Sequence, residues 1–279
     1  MTTQQFRDTI VSFAGGGNMA TALIQGLIRS GFQGGNIRLF EPDASRAQAL
    51  QQQFGIVTAP SNTATLNGSR VLVLAVKPGI IGAVLREVAP HLSRDTLVIS
   101  IAAGITLASL TNVLPPRQPV IRAMPNTPAL IQAGVTVLCP GDHVNEEQRL
   151  LGETLLKTVG DVRTVSDESV MDAVTALSGS GPAYVYLILE ALSDGGVACG
   201  LPRDMATWLA LHTVQGAARL VQETGQHPGV LKNQVTSPGG TTIAALKVLE
   251  EAGMRGTLMR AVEAAWRRSR ELSGPSSGH

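Results

Sequence analysis

Two glycine-rich stretches carry residue types and spacings able to do chemistry, and they lie near opposite ends of the chain. "FAGGGNMA" (13–20) sets Gly15, Gly17 and Ala20 in a G-x-G-x-x-A spacing, directly behind an apolar run and ahead of a helical pattern. Gly15 permits a tight turn and Gly17 lets backbone approach a pyrophosphate. Ala20 lets the helix sit close to its strand, while the helix start offers N–H groups to the anion. Alone the motif is weak evidence; here it opens the first strand–helix unit, and Glu41 ends the next strand. The second stretch, "TSPGGTT" (236–242), precedes the helical pattern "TIAALKVLEEAG", so Gly239, Gly240, Thr241 and Thr242 can turn N–H groups on a carboxylate or a phosphate. A plain N-cap competes with that reading: Thr241 would hold the helix start and the glycines would only make the turn.

Glu41 has alternatives too. Its carboxylate can accept from both hydroxyls of an adenosine ribose, which favours NAD, or it can be a solvated strand-end group capping the next helix. Arg46, a little downstream, could instead reach a 2′-phosphate. The two residues pull in opposite directions, and the preference between NADH and NADPH stays open.

Elements must hold these groups. "TIVSFA" (9–14), "IRLF" (37–40), "VLVLAV" (71–76), "TLVISIA" (96–102) and "PVIRAM" (119–124) are short and apolar on consecutive positions, the pattern of strands buried on both faces. Helical segments such as "MATALIQGLIRS" and "SRAQALQQQF" separate them, which predicts a parallel, doubly wound sheet. "GVTVLCP" (134–140), a helix near 145–158 and "VRTV" (162–165) complete that domain, residues 1–165. From Ser166 the chain reads as helical throughout, giving a second domain at 166–272 and a small polar tail at 273–279. "AYVYLILEAL" (183–192) is apolar nearly all the way round and needs cover on several sides. A second copy of the chain would supply it, so at least a homodimer is expected; the alternative is burial in an interface within one chain.

Composition sets bounds. Hydrophobic residues are 44% of the 279, charged residues 15% and aromatic residues 3%, enough for a sizeable core of small aliphatics. A net charge of +1 leaves no electrostatic footprint for nucleic acid. Cys139 and Cys199 have no metal or disulfide spacing, no metal is called for, and no run is long enough for a membrane span. With no signal-peptide pattern at the start, a cytoplasmic protein is expected.

Taken in order, "GGGNMA", "VLVLAVKPGII", "ISIAAGI", "RAMPNTP", "ALSGSGPAY" and "VTSPGGTTIAAL" resemble the pyrroline-5-carboxylate reductases over about residues 9–272, the last two segments being the most specific. The resemblance implies a Rossmann-like N-terminal domain followed by an all-α C-terminal dimerisation domain, with dimers that can stack into rings. It implies reduction of 1-pyrroline-5-carboxylate to L-proline by NADPH or NADH. Position by position, it puts the pyrophosphate on Gly15, Gly16, Gly17, Asn18 and Met19. Phe40, Glu41 and Pro42 line the adenosine ribose, with Asn62 at its side. Ala75, Val76, Lys77, Pro78, Ala103 and Asn126 flank the nicotinamide. Substrate contacts fall on Glu168, Ser180, Ser237, Gly239, Gly240, Thr241 and Thr242. Phe40-Glu41 departs from the Ser, Asn or Arg common in NADPH-preferring members.

The resemblance also bears on roles. Lys77 looks like a ribose-positioning residue, its other reading being a general acid beside the nicotinamide. Glu168 suits a substrate contact and equally a first helical turn. None of the five histidines falls in these motifs, so the imine nitrogen is expected to arrive protonated, with the Thr242 hydroxyl bonded to it. Two rival functions remain: a β-hydroxyacid-type dehydrogenase, whose lysine context is missing around Lys232 and Lys247, and a non-enzymatic dinucleotide sensor, which would have no use for the second grip.

Overall fold

The computed structural model describes residues 3–274. Among them, eight strands form one sheet in the order β3-β2-β1-β4-β5-β6-β7-β8: β1 Val11–Ala14, β2 Ile37–Phe40, β3 Val57–Thr58, β4 Val71–Leu74, β5 Leu97–Ser100, β6 Val120–Met124, β7 Gly134–Pro140 and β8 Gly160–Thr164. Strands β1, β4 and β5 are buried at every position, as their unbroken apolar runs require. Helices α1 (Asn18–Arg29), α2 (Ala44–Phe54), α3 (Asn62–Thr65), α4 (Pro78–Val88), α5 (Leu107–Thr111) and α6 (Glu146–Lys157) join the strands. Two clusters of buried apolar side chains flank the sheet, one built around Phe13, Ile24 and Leu27, the other around Leu72, Leu74 and Leu85.

Two features depart from the sequence reading. The sheet is mixed rather than parallel: β7 runs antiparallel to β6, and β8 then runs parallel to β7. The link from β6 to β7 holds only the 3₁₀ turn Thr127–Ile131, too short for a crossover, whereas α6 provides one between β7 and β8. Strand β3, two residues long beside β2, is too brief to show a period in sequence.

By compactness the chain divides into residues up to Ser180 together with those from Ala265 onward, and Gly181–Ala264. The first unit also contains α7 (Met171–Val174) and a π-helical turn at Thr175–Gly179. The second holds α8 (Gly181–Ala198), α9 (Arg203–Thr224), α10 (Pro228–Gln234), α11 (Thr241–Glu251) and the beginning of α12 (Met254–Ser273). Within it α8 and α9 approach closely: a Cβ on Gly196 would lie 3.0 Å from that of Ala206, and Ser193 and Thr207 share a 2.9 Å hydroxyl contact. Of the tail expected at 273–279, Ser273 still belongs to α12 and residues 275–279 lie outside the described residues.

Candidate active site

The loops after β1, β2, β4 and β5 meet because those strands are neighbours in the sheet, so their carboxyl ends form one edge. Gly15 N–H donates to Phe40 O at 2.9 Å and Ala75 N–H to Ala14 O at 2.9 Å, fixing three of these loops on one another. Gly15 has φ +94°, and a Cβ there would come within 2.8 Å of Val76 Cγ1 and 3.0 Å of Ala75 O. No other residue fits. Gly17 is different: nothing lies within 4 Å of the position its Cβ would take, so that glycine leaves room rather than avoiding a neighbour. Gly17 also stands at the N-cap of α1, which no side chain caps and whose first turn carries no acid. Asn18 is exposed and Met19 half-buried on that turn. A pyrophosphate fits this start both sterically and electrostatically.

Glu41 is anchored. Its Oε2 accepts from Gly16 N–H at 2.7 Å and its Oε1 from Asp43 N–H at 3.0 Å, so the carboxylate rests at the mouth of the glycine loop between Phe40 and Pro42. Asp43, not Glu41, caps α2, accepting from Ser45 and Arg46 N–H. That removes the reading of Glu41 as the cap of the next helix. Lys77 is exposed at the N-cap of α4, with Pro78 at the first helical position; Ala103 sits half-buried after β5, beside Gly104.

Three side chains named from sequence are engaged by other protein groups. Asn62 is buried, and its Nδ2 donates to Glu87 Oε2 at 2.7 Å while its N–H donates to Glu87 Oε1 at 3.2 Å; its Oδ1 has no protein partner. Asn126 accepts from Val135 N–H at 2.9 Å and donates to Ser178 O at 3.3 Å. Glu168 uses one oxygen, Oε1, for both Leu107 N–H (2.7 Å) and the Arg122 guanidinium (2.8 Å).

Arg122 was not picked out in sequence, although a single cation inside the apolar run "PVIRAM" was a signal that it must find partners. It is buried, and it meets Glu168 and, at 3.5 Å, Asp172, which in turn accepts from the Ser269 and Ser273 hydroxyls. Beside this cluster, burial and then the Glu168 carboxylate push the Cys139 thiol up, outweighing Arg122. Cys139 is thus held as the neutral thiol.

At the second grip the plain N-cap on Thr241 is not formed. The N-cap of α11 is Gly240, not Thr241, and no side chain caps this start. Gly239 takes φ +67°, and a Cβ on Gly240 would collide with Ser237 Oγ. Gly240 N–H donates to Ser237 O at 3.1 Å, which closes the turn; Ser237 and Thr241 are exposed and Thr242 is half-buried. By contrast α2, α3, α5, α6 and α10 all start under a side-chain cap. Glycine at an N-cap gives up only about a few tenths of a kcal/mol against a capping side chain, so the starts of α1 and α11 keep their N–H groups open at little cost in stability.

The family model for pyrroline-5-carboxylate reductase dimerisation matches residues 168–272, and that for coenzyme F420-dependent NADP oxidoreductase matches residues 10–104. The pyrroline-5-carboxylate reductase of Synechocystis sp. is 46% identical over 92% of this chain and 96% of its own. That of Escherichia coli is 42% identical over 94% and 98%. Among solved structures, a pyrroline-5-carboxylate reductase from Coxiella burnetii superposes with a TM-score of 0.90 at 40% identity, covering 96% of this chain and all of that one. The Plasmodium falciparum enzyme with NADP bound gives 0.88 at 32%, covering 96% of this chain and 99% of its own.

Proposed function

The chain belongs to the pyrroline-5-carboxylate reductase family, and from that premise we propose how its residues carry the reaction. The activity is hydride transfer to the imine carbon of 1-pyrroline-5-carboxylate, giving L-proline, with NADH or NADPH supplying the hydride when bound. The observation that carries the reading is the pair of uncapped glycine starts, one suited to a pyrophosphate and one to a carboxylate.

Gly15, Gly16, Gly17, Asn18 and Met19 hold the pyrophosphate, and Phe40, Glu41 and Pro42 the adenosine ribose. Asn62 supports that wall from the side through Glu87. Ala75, Val76, Lys77, Pro78 and Ala103 border the nicotinamide, with Lys77 in a positioning role. On the substrate side, N–H groups at Gly239, Gly240, Thr241 and Thr242 bind the carboxylate, and Ser180 and Ser237 complete the polar wall. Glu168 turns its second oxygen to the substrate while Oε1 stays on Arg122. The Thr242 hydroxyl accepts from the protonated ring nitrogen, holding the ring in place. Orientation of the two rings supplies several kcal/mol of the barrier reduction.

Residues 166–272 act as the substrate and dimerisation domain, and the assembly is a homodimer at least, with dimers stacked into a ring. No helix among the described residues is long and apolar enough to cross a membrane; the cytoplasm is the compartment proposed. Oxidation of NADH and of NADPH is measured with 1-pyrroline-5-carboxylate, formation of proline being followed. Turnover with a 2-hydroxy acid and none with the imine would favour a β-hydroxyacid-type dehydrogenase; binding of the dinucleotide without turnover would leave a sensor.

A further inference from the structure

The π-helical turn at Thr175–Gly179 runs into the segment "LSGSGPAY" (177–184), and its geometry has a local cause. Ser180 N–H donates to Thr175 O at 2.9 Å, five residues back, which widens the turn by one residue. In an α-helix Ser178 O would accept from the N–H of residue 182. Residue 182 is proline and has none to give. A carbonyl deprived of its helical donor must find another or stay exposed to water. The donor present is Asn126 Nδ2, 3.3 Å from Ser178 O and 3.5 Å from Ser178 Oγ. Its amide oxygen accepts from Val135 N–H at 2.9 Å, so one side chain ties the start of β7 to the turn. Met124, two residues earlier at the end of β6, sets its terminal methyl against Gly179, where a Cβ would stand.

We propose that Asn126 is a positioning residue for the imine, acting through the 175–180 turn, and not a ligand of the dinucleotide. By replacing the donor that Pro182 lacks, it fixes Ser178 and Gly179 and thereby the placement of Ser180. The proposal rests on the reading of Ser180 as part of the substrate wall. It separates Asn126 from Ala75–Pro78, with which the family resemblance groups it.

Asn126→Asp tests it best, because a carboxylate still accepts from Val135 N–H but sets an acceptor against Ser178 O. Asn126→Ala removes the donor without adding charge. NADH affinity is read by fluorescence titration, imine kinetics by steady state, and the turn by a crystal structure of Asn126→Asp. Expected are a NADH Kd within twofold of wild type for both variants, and a fall in kcat/KM for the imine of about tenfold or more, mostly as a rise in KM. The 175–180 segment should lose its five-residue hydrogen bond. A NADH Kd that rises as far as the imine KM would overturn the proposal and return Asn126 to the dinucleotide site. Unchanged imine kinetics in both variants would overturn it as well. If Ser180→Ala then still weakens the imine, the substrate wall stands without Asn126; if Ser180→Ala is silent too, the reading beneath has failed.

Discussion

The two compact units bury their apolar residues to very different degrees. In the sheet-bearing unit, Phe13, Ile24, Leu39, Leu72 and Ile99 are each at most 1% exposed. In the helical unit, α8 buries only Ser193, α9 only Ala206 and Ala210, and α10 and α11 bury nothing, while Leu187 is 67% exposed, Tyr186 58%, Trp208 58% and Met259 68%. The first unit completes its own core. The second is a set of helices with exposed apolar faces, patches of that extent mark an interface, and the matched dimerisation family model points to an oligomer.

Changing Leu187 to Glu should have the largest effect. Each copy would lose about 2 kcal/mol of apolar burial, counted twice across a two-fold axis, so association should weaken on the order of a thousandfold before the new charge is considered. Sedimentation at micromolar concentration should then show monomer; an unaltered oligomer would break the contrast. Arg122→Ala comes next and should act on the other unit. It leaves Glu168 and Asp172 without their cation, costing about 3 kcal/mol, the low end for a buried pair because Glu168 keeps some solvent. The drop in melting temperature should be the same at every protein concentration, while the melting of both wild type and variant rises with concentration.

Thr242→Ala addresses the second grip. Losing a hydrogen bond to a charged nitrogen costs ~1.5–3 kcal/mol, or roughly 10- to 150-fold in kcat/KM, seen in KM more than in kcat because the nitrogen loses its positive charge as hydride adds. Thr242→Ser should restore most of it, and Thr241→Ala should do less harm. Wild-type kinetics in Thr242→Ala would leave that hydroxyl without a role. The smallest change concerns the first grip: Glu41→Ser removes a fixed negative charge from the loop mouth and should raise the NADPH-to-NADH preference about tenfold, equal to about 1.4 kcal/mol. An unmoved ratio would mean the carboxylate serves only Gly16 and Asp43.

Legibility in the sequence depended on whether local spacing alone determines a feature. Consecutive Val, Ile and Leu made β1, β4 and β5 visible, and G-x-G-x-x-A placed the first loop, because local spacing alone determines both. The antiparallel β7 was missed since strand direction depends on how short the 125–133 link is, not on the strand's own residues. Glu168 and Asn126 were assigned by resemblance, but their partners Arg122, Leu107 and Ser178 come from distant parts of the chain, and no periodicity reports them. Pro182 was read as a helix-start residue; its effect on Ser178 became visible only with the turn. The all-round apolar "AYVYLILEAL" did signal a missing partner, because burial on every side is a property of the helix itself.

Helix α12 has a bearing on the order in which this protein comes into being. It begins among the helices of the second unit, yet from Ala265 it belongs to the first, where Leu272 lies against Gly104 and Ser269 and Ser273 hold Asp172. During synthesis the sheet emerges first, and domains ordinarily settle as they leave the ribosome. Here the residues that close over the loop after β5 are translated long after it, Leu272 far downstream of Gly104. The nascent sheet must wait for them, holding the Arg122–Asp172 cluster incomplete until Ser269 and Ser273 emerge, and a ribosome stalled near residue 264 would carry an unfinished first unit although every strand had already been made.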